Sequence, residues 1–280
     1  LPSMNRFAAL TAGVAVIGYA FYCSRGVKRR SRSEGEGEEE DILLNPRKST
    51  CRHEGIIEVC LSDVESAHAA WLAGANSIEV CADRGQGGVT PSFGLVQQLV
   101  RCYGNDVNIH VLIRPRAGDF VYTEREMDVM SRDVLAARAA GADGVVLGVL
   151  TSDGCVDVQK MSRLRQLAGS MQLTFHRAFD ITPNPYASLQ AILLLGCNRL
   201  LTSGQAPAAV EGTGMLASLR QRADDILSAS PAASPTSTTT SSSMGHTHGR
   251  TFAIVAAAGV CTEFASHIIN AGQVNGVHAG

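Results

Sequence analysis

The chain has 280 residues, 45% of them hydrophobic and 18% charged, and a formal net charge of -2, which suits a globular protein with room for one large core. Aromatic residues make up only 5%, and no basic stripe interleaved with them offers a phosphate track or a stacking platform, so nucleic acid is not an expected partner. The 8 cysteines are scattered with no CxxC pair, the pattern of free thiols in a reducing compartment such as the cytoplasm rather than of a disulfide framework.

The N-terminal 1-55 segment separates from the rest by composition. Phe7 to Cys23 is an apolar run flanked by Arg6 and by Arg25, Lys28, Arg29, Arg30 and Arg32, at the short limit of a membrane span of about 20 residues. The heavier positive charge on its C-terminal side favours a signal anchor with the main domain facing the cytosol over a cleaved secretory signal. A mitochondrial presequence, or sequence foreign to the mature protein, is the other reading. Ser33 to Asp41, SEGEGEEED, has too little apolar surface to fold and reads as a disordered linker. The chain begins with Leu rather than Met, as a fragment or a gene-model product would.

From Ile56 onward short β runs alternate with amphipathic helices. The pattern predicts strands at 56–60, 77–81, 108–114, 144–147, 172–176, 199–202, 252–255 and 276–278. Helices are expected at 63–73 with Ser62 as N-cap and Gly74 as stop, at 92–102, at 124–140 with Thr123 as cap and Gly141 as stop, at 157–168, at 185–195 stopped by Gly196, at 214–227 and at 262–270. Eight such β runs over residues 56–280 point to an α/β fold, a closed (β/α)8 TIM-type barrel with a disordered N-terminal extension; a doubly wound open sheet is the alternative. Ser228 to Arg250, a Ser/Thr/Pro tract, reads as a disordered insertion. Each doubling of a flexible loop costs only about 0.6 kcal/mol, so the barrel tolerates it. His246 and His248 within it resemble a metal pair, but a structural metal is not expected in such a tract.

Charged residues gather where strands end, the rim on which barrels carry their sites. Glu58-Val59-Cys60 and Glu79-Val80-Cys81 close the first two strands, and period two turns Glu and Cys inward. A carboxylate inside a barrel needs a partner, and Arg114 is the expected one. The layer then serves either a site or a structural ion pair. Arg114 and Arg116 flank Pro115 and lead into Gly118 and Asp119, two guanidinium forks on a stiff segment that suit a carboxylate or phosphate. His176, followed by Arg177 and Asp180, is a candidate acid/base or ligand, or a hydrogen-bonded scaffold residue. Ser203-Gly204 and Ala258-Gly259 are small-residue turns able to offer N–H groups to an anion. Cys60 and Cys81 are the two cysteines that can meet inside the barrel. They would suit Cu(I), unless they are simply small core residues.

IEVCADRGQGGVTPSFG, LIRPRAGDFVYTEREMDVM, GADGVVLGVLTSDGCVD, LTFHRAFD and LLTSGQ together make 56-280 resemble the copper homeostasis protein CutC family. The resemblance implies a (β/α)8 barrel, copper handling with Cu(I) binding in some members, and a polar mouth of Glu58, Glu79, Arg114, Arg116, Asp119, His176, Asp180, Ser203 and His278. The chain departs from it in the Ser/Thr-rich insertion and in Ala256-Ala257-Ala258-Gly259, where the family has a glycine-rich turn.

Two functions follow. One is intracellular Cu(I) binding and buffering through the Cys60 and Cys81 thiolates. The other is an enzyme acting on a small anionic metabolite, with Arg114, Arg116, Asp119, Ser203, Gly204 and His278 holding the ligand and Glu58, Glu79, His176 or Asp180 moving a proton. Expected partners are accordingly copper or a small anion, with a membrane reached through residues 7-23 and homo-oligomerisation left open.

Overall fold

In a computed structural model, which describes residues 55–229 and 251–280, the alternating runs close into one parallel barrel in the order β1-β2-β3-β4-β5-β6-β7-β8. The strands are β1 (Ile56–Leu61), β2 (Ser77–Val80), β3 (Asn108–Leu112), β4 (Gly144–Leu147), β5 (Gln172–Phe175), β6 (Arg199–Thr202), β7 (Ala253–Ala256) and β8 (Gly276–Ala279). Around them lie α1 (Val64–Leu72), α2 (Phe93–Tyr103), α3 (Glu124–Ala139), α4 (Val158–Ala168), α5 (Pro185–Leu194), α6 (Thr213–Ala229) and α7 (Thr262–Gly272). The apolar run at 7–23, the acidic linker, and His246 and His248 fall outside the described residues. So does the insertion, except Ser228 and Ala229, which extend α6. Among the described residues no helix is long and apolar enough to cross a membrane.

Helix starts follow from side chains able to cap free N–H groups. Thr123 and Glu126 form a reciprocal capping box on α3, and Asn184 accepts from Tyr186 and Ala187 ahead of Pro185. The cap of α1 is Asp63, which accepts from Ser66 N at 2.7 Å, and not Ser62 as the sequence pattern suggested. A carboxylate there also gains from the helix dipole. β3 stops at Leu112, two residues short of Arg114, because Pro115 breaks the ladder and Arg114 N turns to Thr90 Oγ1 at 3.0 Å.

Outward side chains of the strands, such as Ile57, Val59, Ile78, Val80, Ile109 and Val111, are buried against the helices in the main core. Inward ones form separate clusters, one of Cys60, Cys81, Leu112 and Val146 and another of Ile56, Leu201, Val255 and Ala257. The lower rim repeats one device four times. Asn76, Asp143, Asn198 and Asn275 each precede an even-numbered strand and accept, through Oδ1 or Oδ2, from Ile57 N, Ile109 N, Leu173 N and Ile254 N at 2.8–2.9 Å. Each also donates its own N–H to the carbonyl of that same partner residue. Two bonds per junction pin the register of the strand pairs and so the height of every inward side chain above the rim.

Candidate functional site

The register sets the site. β1 and β2 carry the same Glu-Val-Cys triplet, but they pair with Glu58 beside Ser77 and Cys60 beside Glu79. This two-residue step, the stagger a closed barrel requires, sinks Glu58 below the mouth and brings Cys60, Glu79 and Cys81 to it. Cys60 Sγ lies 3.3 Å from Cys81 Sγ. His278, at the end of β8, is hydrogen-bonded through Nε2 to Glu79 Oε2. One donor atom each from Cys60, Glu79 and His278 falls within 4.8 Å of the others, a spacing that can hold a metal ion.

The two thiols share a hydrogen bond in a largely dry setting. That bond, and then burial, push the Cys60 thiol far up, while the same bond draws Cys81 down. A single proton held between the two sulfurs accounts for the opposite shifts. Burial alone would lower His278, but the Glu79 carboxylate outweighs it and raises the pKa. These groups border a cavity of about 510 Å³ opening at the C-terminal ends of the strands, where barrel sites form.

The rest of the wall is built by the loop after β3, next to β2 in the barrel, and by the residues after β5. Arg114 is buried and donates to the carbonyls of Gln86, Gly88 and Gly118 at 3.1, 2.7 and 2.9 Å. It does not meet Glu58 or Glu79, the expected carboxylate partners, because it lies beyond the strand, where the Gly87-Gly88 turn offers carbonyls at close range. Phe120 packs between Arg114 Cζ, 5.2 Å from its ring centre, and the His176 ring at 4.9 Å. His176 Nδ1 accepts from Ala178 N at 3.2 Å, which puts the ring proton on Nε2. Burial, with help from Arg114, pushes its pKa down to about 3, so the ring is neutral at physiological pH. Gly148 leaves it room: a Cβ there would lie 2.6 Å from Nδ1.

Other expected site residues are engaged elsewhere. Glu58 is sealed in the barrel, accepting from Arg199 Nη2 at 2.7 Å and Ser77 Oγ at 2.6 Å, with His110 Nδ1 at 3.3 Å. Burial would raise its pKa, but Arg199 and then His110 bring it well below the ordinary carboxylate value. Arg116 binds Glu126, Asp119 and the Val121 carbonyl, and so staples its loop to α3 away from the cavity. Asp119 is largely exposed. Asp180 pairs with Arg177 at 2.9 Å and accepts from Ser203 N and Gln205 N. The anion at the Ser203-Gly204 turn is therefore the chain's own carboxylate. Gly204 N is taken by Thr202 Oγ1 at 2.9 Å, and Ser203 Oγ by the Ala206 carbonyl. The Ala258-Gly259 turn does border the cavity, with Ala258 held at φ 78°, a left-handed conformation that alanine adopts at a cost.

Arg199, His110, Phe120 and Gly148 were not singled out from the sequence. An Arg opening the otherwise apolar LLT run of β6 was the available signal for the first.

A CutC family model matches residues 55–234. The chain belongs to the CutC family. A CutC family protein of Chromobacterium violaceum is 43% identical over 220 residues, covering 78% of this chain and 82% of its own length. One from Agrobacterium fabrum is 48% identical over 178 residues, 64% of this chain and 70% of its own length. Among solved structures, one from Streptococcus agalactiae assigned as a copper homeostasis protein CutC superposes with a TM-score of 0.69 at 25% identity, covering 80% of this chain and 98% of that one. A structure assigned as a phosphonomutase from Burkholderia cenocepacia, at 15% identity and a TM-score of 0.53, shares the barrel fold alone. Membership in the CutC family agrees with the barrel, and the polar residues expected at the mouth divide into a cavity wall, a sealed interior network and two loop clamps.

Proposed function

We propose that this CutC family barrel serves copper homeostasis by binding Cu(I) at its mouth through Cys60 and Cys81. The observation that carries the reading is the approach of the two sulfurs to 3.3 Å at the edge of an open cavity. Soft thiolates select Cu(I) over the harder divalent ions. The donor set fits such an ion: Cys81 is drawn toward the thiolate, and the proton between the sulfurs is what a soft cation replaces. His278 and Glu79 stand close enough to supply a third donor or a base for the released proton. The copper homeostasis assignment of the Streptococcus agalactiae relative points the same way. The six cysteines of the described residues are all free, as a reducing compartment such as the cytosol would keep them.

The test is competition titration of Cu(I) against a chromogenic chelator under anaerobic conditions. The wild-type chain is expected to withdraw Cu(I) from the chelator, Cys60→Ser and Cys81→Ser each to hold it more weakly, and the double variant to lose that capacity. Unchanged stoichiometry and affinity in the double variant would refute the thiolate site.

A further inference from the structure

The cavity that the thiols border also holds a charge without a counter-charge. Arg114, a guanidinium cation, is 6% exposed. Its hydrogen bonds go to three main-chain carbonyls. None of the ion pairs among the described residues includes it. The adjacent Tyr122 hydroxyl, whose pKa burial raises, is neutral and supplies no charge. A cation withdrawn from water and left without an anion is costly unless a ligand provides one.

A second group in the same cavity is also unmatched. His176 is 6% exposed, borders the cavity, and has no hydrogen-bond partner at Nε2. The bond from Ala178 N to Nδ1 leaves the proton on that unmatched atom, so His176 presents a fixed N–H donor. Phe120 lies against both Arg114 and His176, which ranges the two donors along one side of the opening.

The geometry points to an oxyanion subsite on this wall, in which Arg114 and His176 Nε2–H receive the carboxylate or phosphate group of a small ligand. Arg84 at the rim adds positive charge along the entrance, while Arg177 there is matched by Asp180 and Glu79 by His278. A volume of about 510 Å³ is that of a small-metabolite pocket. The subsite shares the cavity with the thiols but uses other side chains, and it does not depend on copper. Neutral His176 acts in it as a donor whose orientation is set by Ala178 and whose space is set by Gly148.

The experiment uses the full chain, metal-free, so that its outcome is independent of the thiolate reading. Inorganic phosphate and acetate are titrated separately while the 15N resonances of the histidine side chains are followed. Saturable binding of at least one anion is expected, with the largest shift at His176 Nε2–H. Preference for phosphate or for acetate then identifies which oxyanion the subsite is made for. His176→Asn retains an acceptor for Ala178 N and removes the Nε2–H donor, and it should weaken binding by about tenfold or more. Absence of saturable binding of either anion to the wild type would overturn the proposal. So would saturable binding that leaves the His176 resonance unmoved, and so would undiminished affinity in folded His176→Asn.

Discussion

Arg199 Nη2 donates to Glu58 Oε2 at 2.7 Å across the barrel interior, joining the first residue of β6 to the middle of β1 with both side chains withdrawn from solvent. Neither group reaches the cavity at the mouth. Together with Ser77 and His110 they fill the lumen with a polar plug where other barrels use aliphatic layers.

Removing one partner should be far worse than removing both. Arg199→Met strands a buried carboxylate and is expected to cost about 3–5 kcal/mol, whereas adding Glu58→Gln should restore much of the loss. Urea unfolding of the two variants checks this, and equal stabilities would contradict the pairing. The pH dependence follows the same logic. The folded pKa of Glu58 lies below its unfolded value, so its contribution is present above the ordinary carboxylate range and is lost as pH falls through the folded value. Arg199→Met should therefore lose stability less steeply in acid than the wild type.

The pKa values of the two mouth histidines should be displaced in opposite directions in the metal-free protein. For His278 the folded pKa is raised, so its contribution is complete below the unfolded value of about 6.5 and is lost as pH rises through the folded one. For His176 the folded pKa is depressed to about 3, so its contribution is complete above the unfolded value and falls away as pH drops below it. Side-chain NMR should find His278 titrating above about 6.5, and below that in Glu79→Gln, while His176 stays neutral throughout. A His278 midpoint unaffected by Glu79→Gln would count against the pair.

Gly148→Ala tests the packing behind His176. Its Cβ would sit 2.6 Å from Nδ1 and 2.7 Å from Cε1, so the ring must leave its bond to Ala178 N. A loss of about 1–3 kcal/mol is expected from such overpacking, together with a mixture of ring tautomers by 15N shifts. A single unchanged tautomer would show that the ring is held by something else.

Much of the barrel could be read from the chain because strand and helix periodicities, caps and stops are local. Glu58 and Cys60 were correctly turned inward by period two. Their heights were not readable, since these depend on inter-strand stagger, and two identical triplets cannot reveal that they pair two residues out of step. The four clamps that fix that stagger do leave a trace, Asn or Asp just before β2, β4, β6 and β8, but only the hydrogen bonds disclose its purpose. Arg114 was assigned a carboxylate because buried charges usually have one. Its carbonyl partners come from the Gly87-Gly88 turn, whose path is not encoded in any periodicity. Arg116 and Asp119, adjacent to it in sequence, are diverted by Glu126 on α3, a contact that depends on how the loop folds back.

The most direct measurement of the copper reading is X-ray absorption at the copper edge on Cu(I)-loaded protein. Two sulfur scatterers are predicted in the wild type, falling to one in either Cys60→Ser or Cys81→Ser. A first shell of nitrogen or oxygen alone, or a sulfur count unchanged by both substitutions, would contradict it.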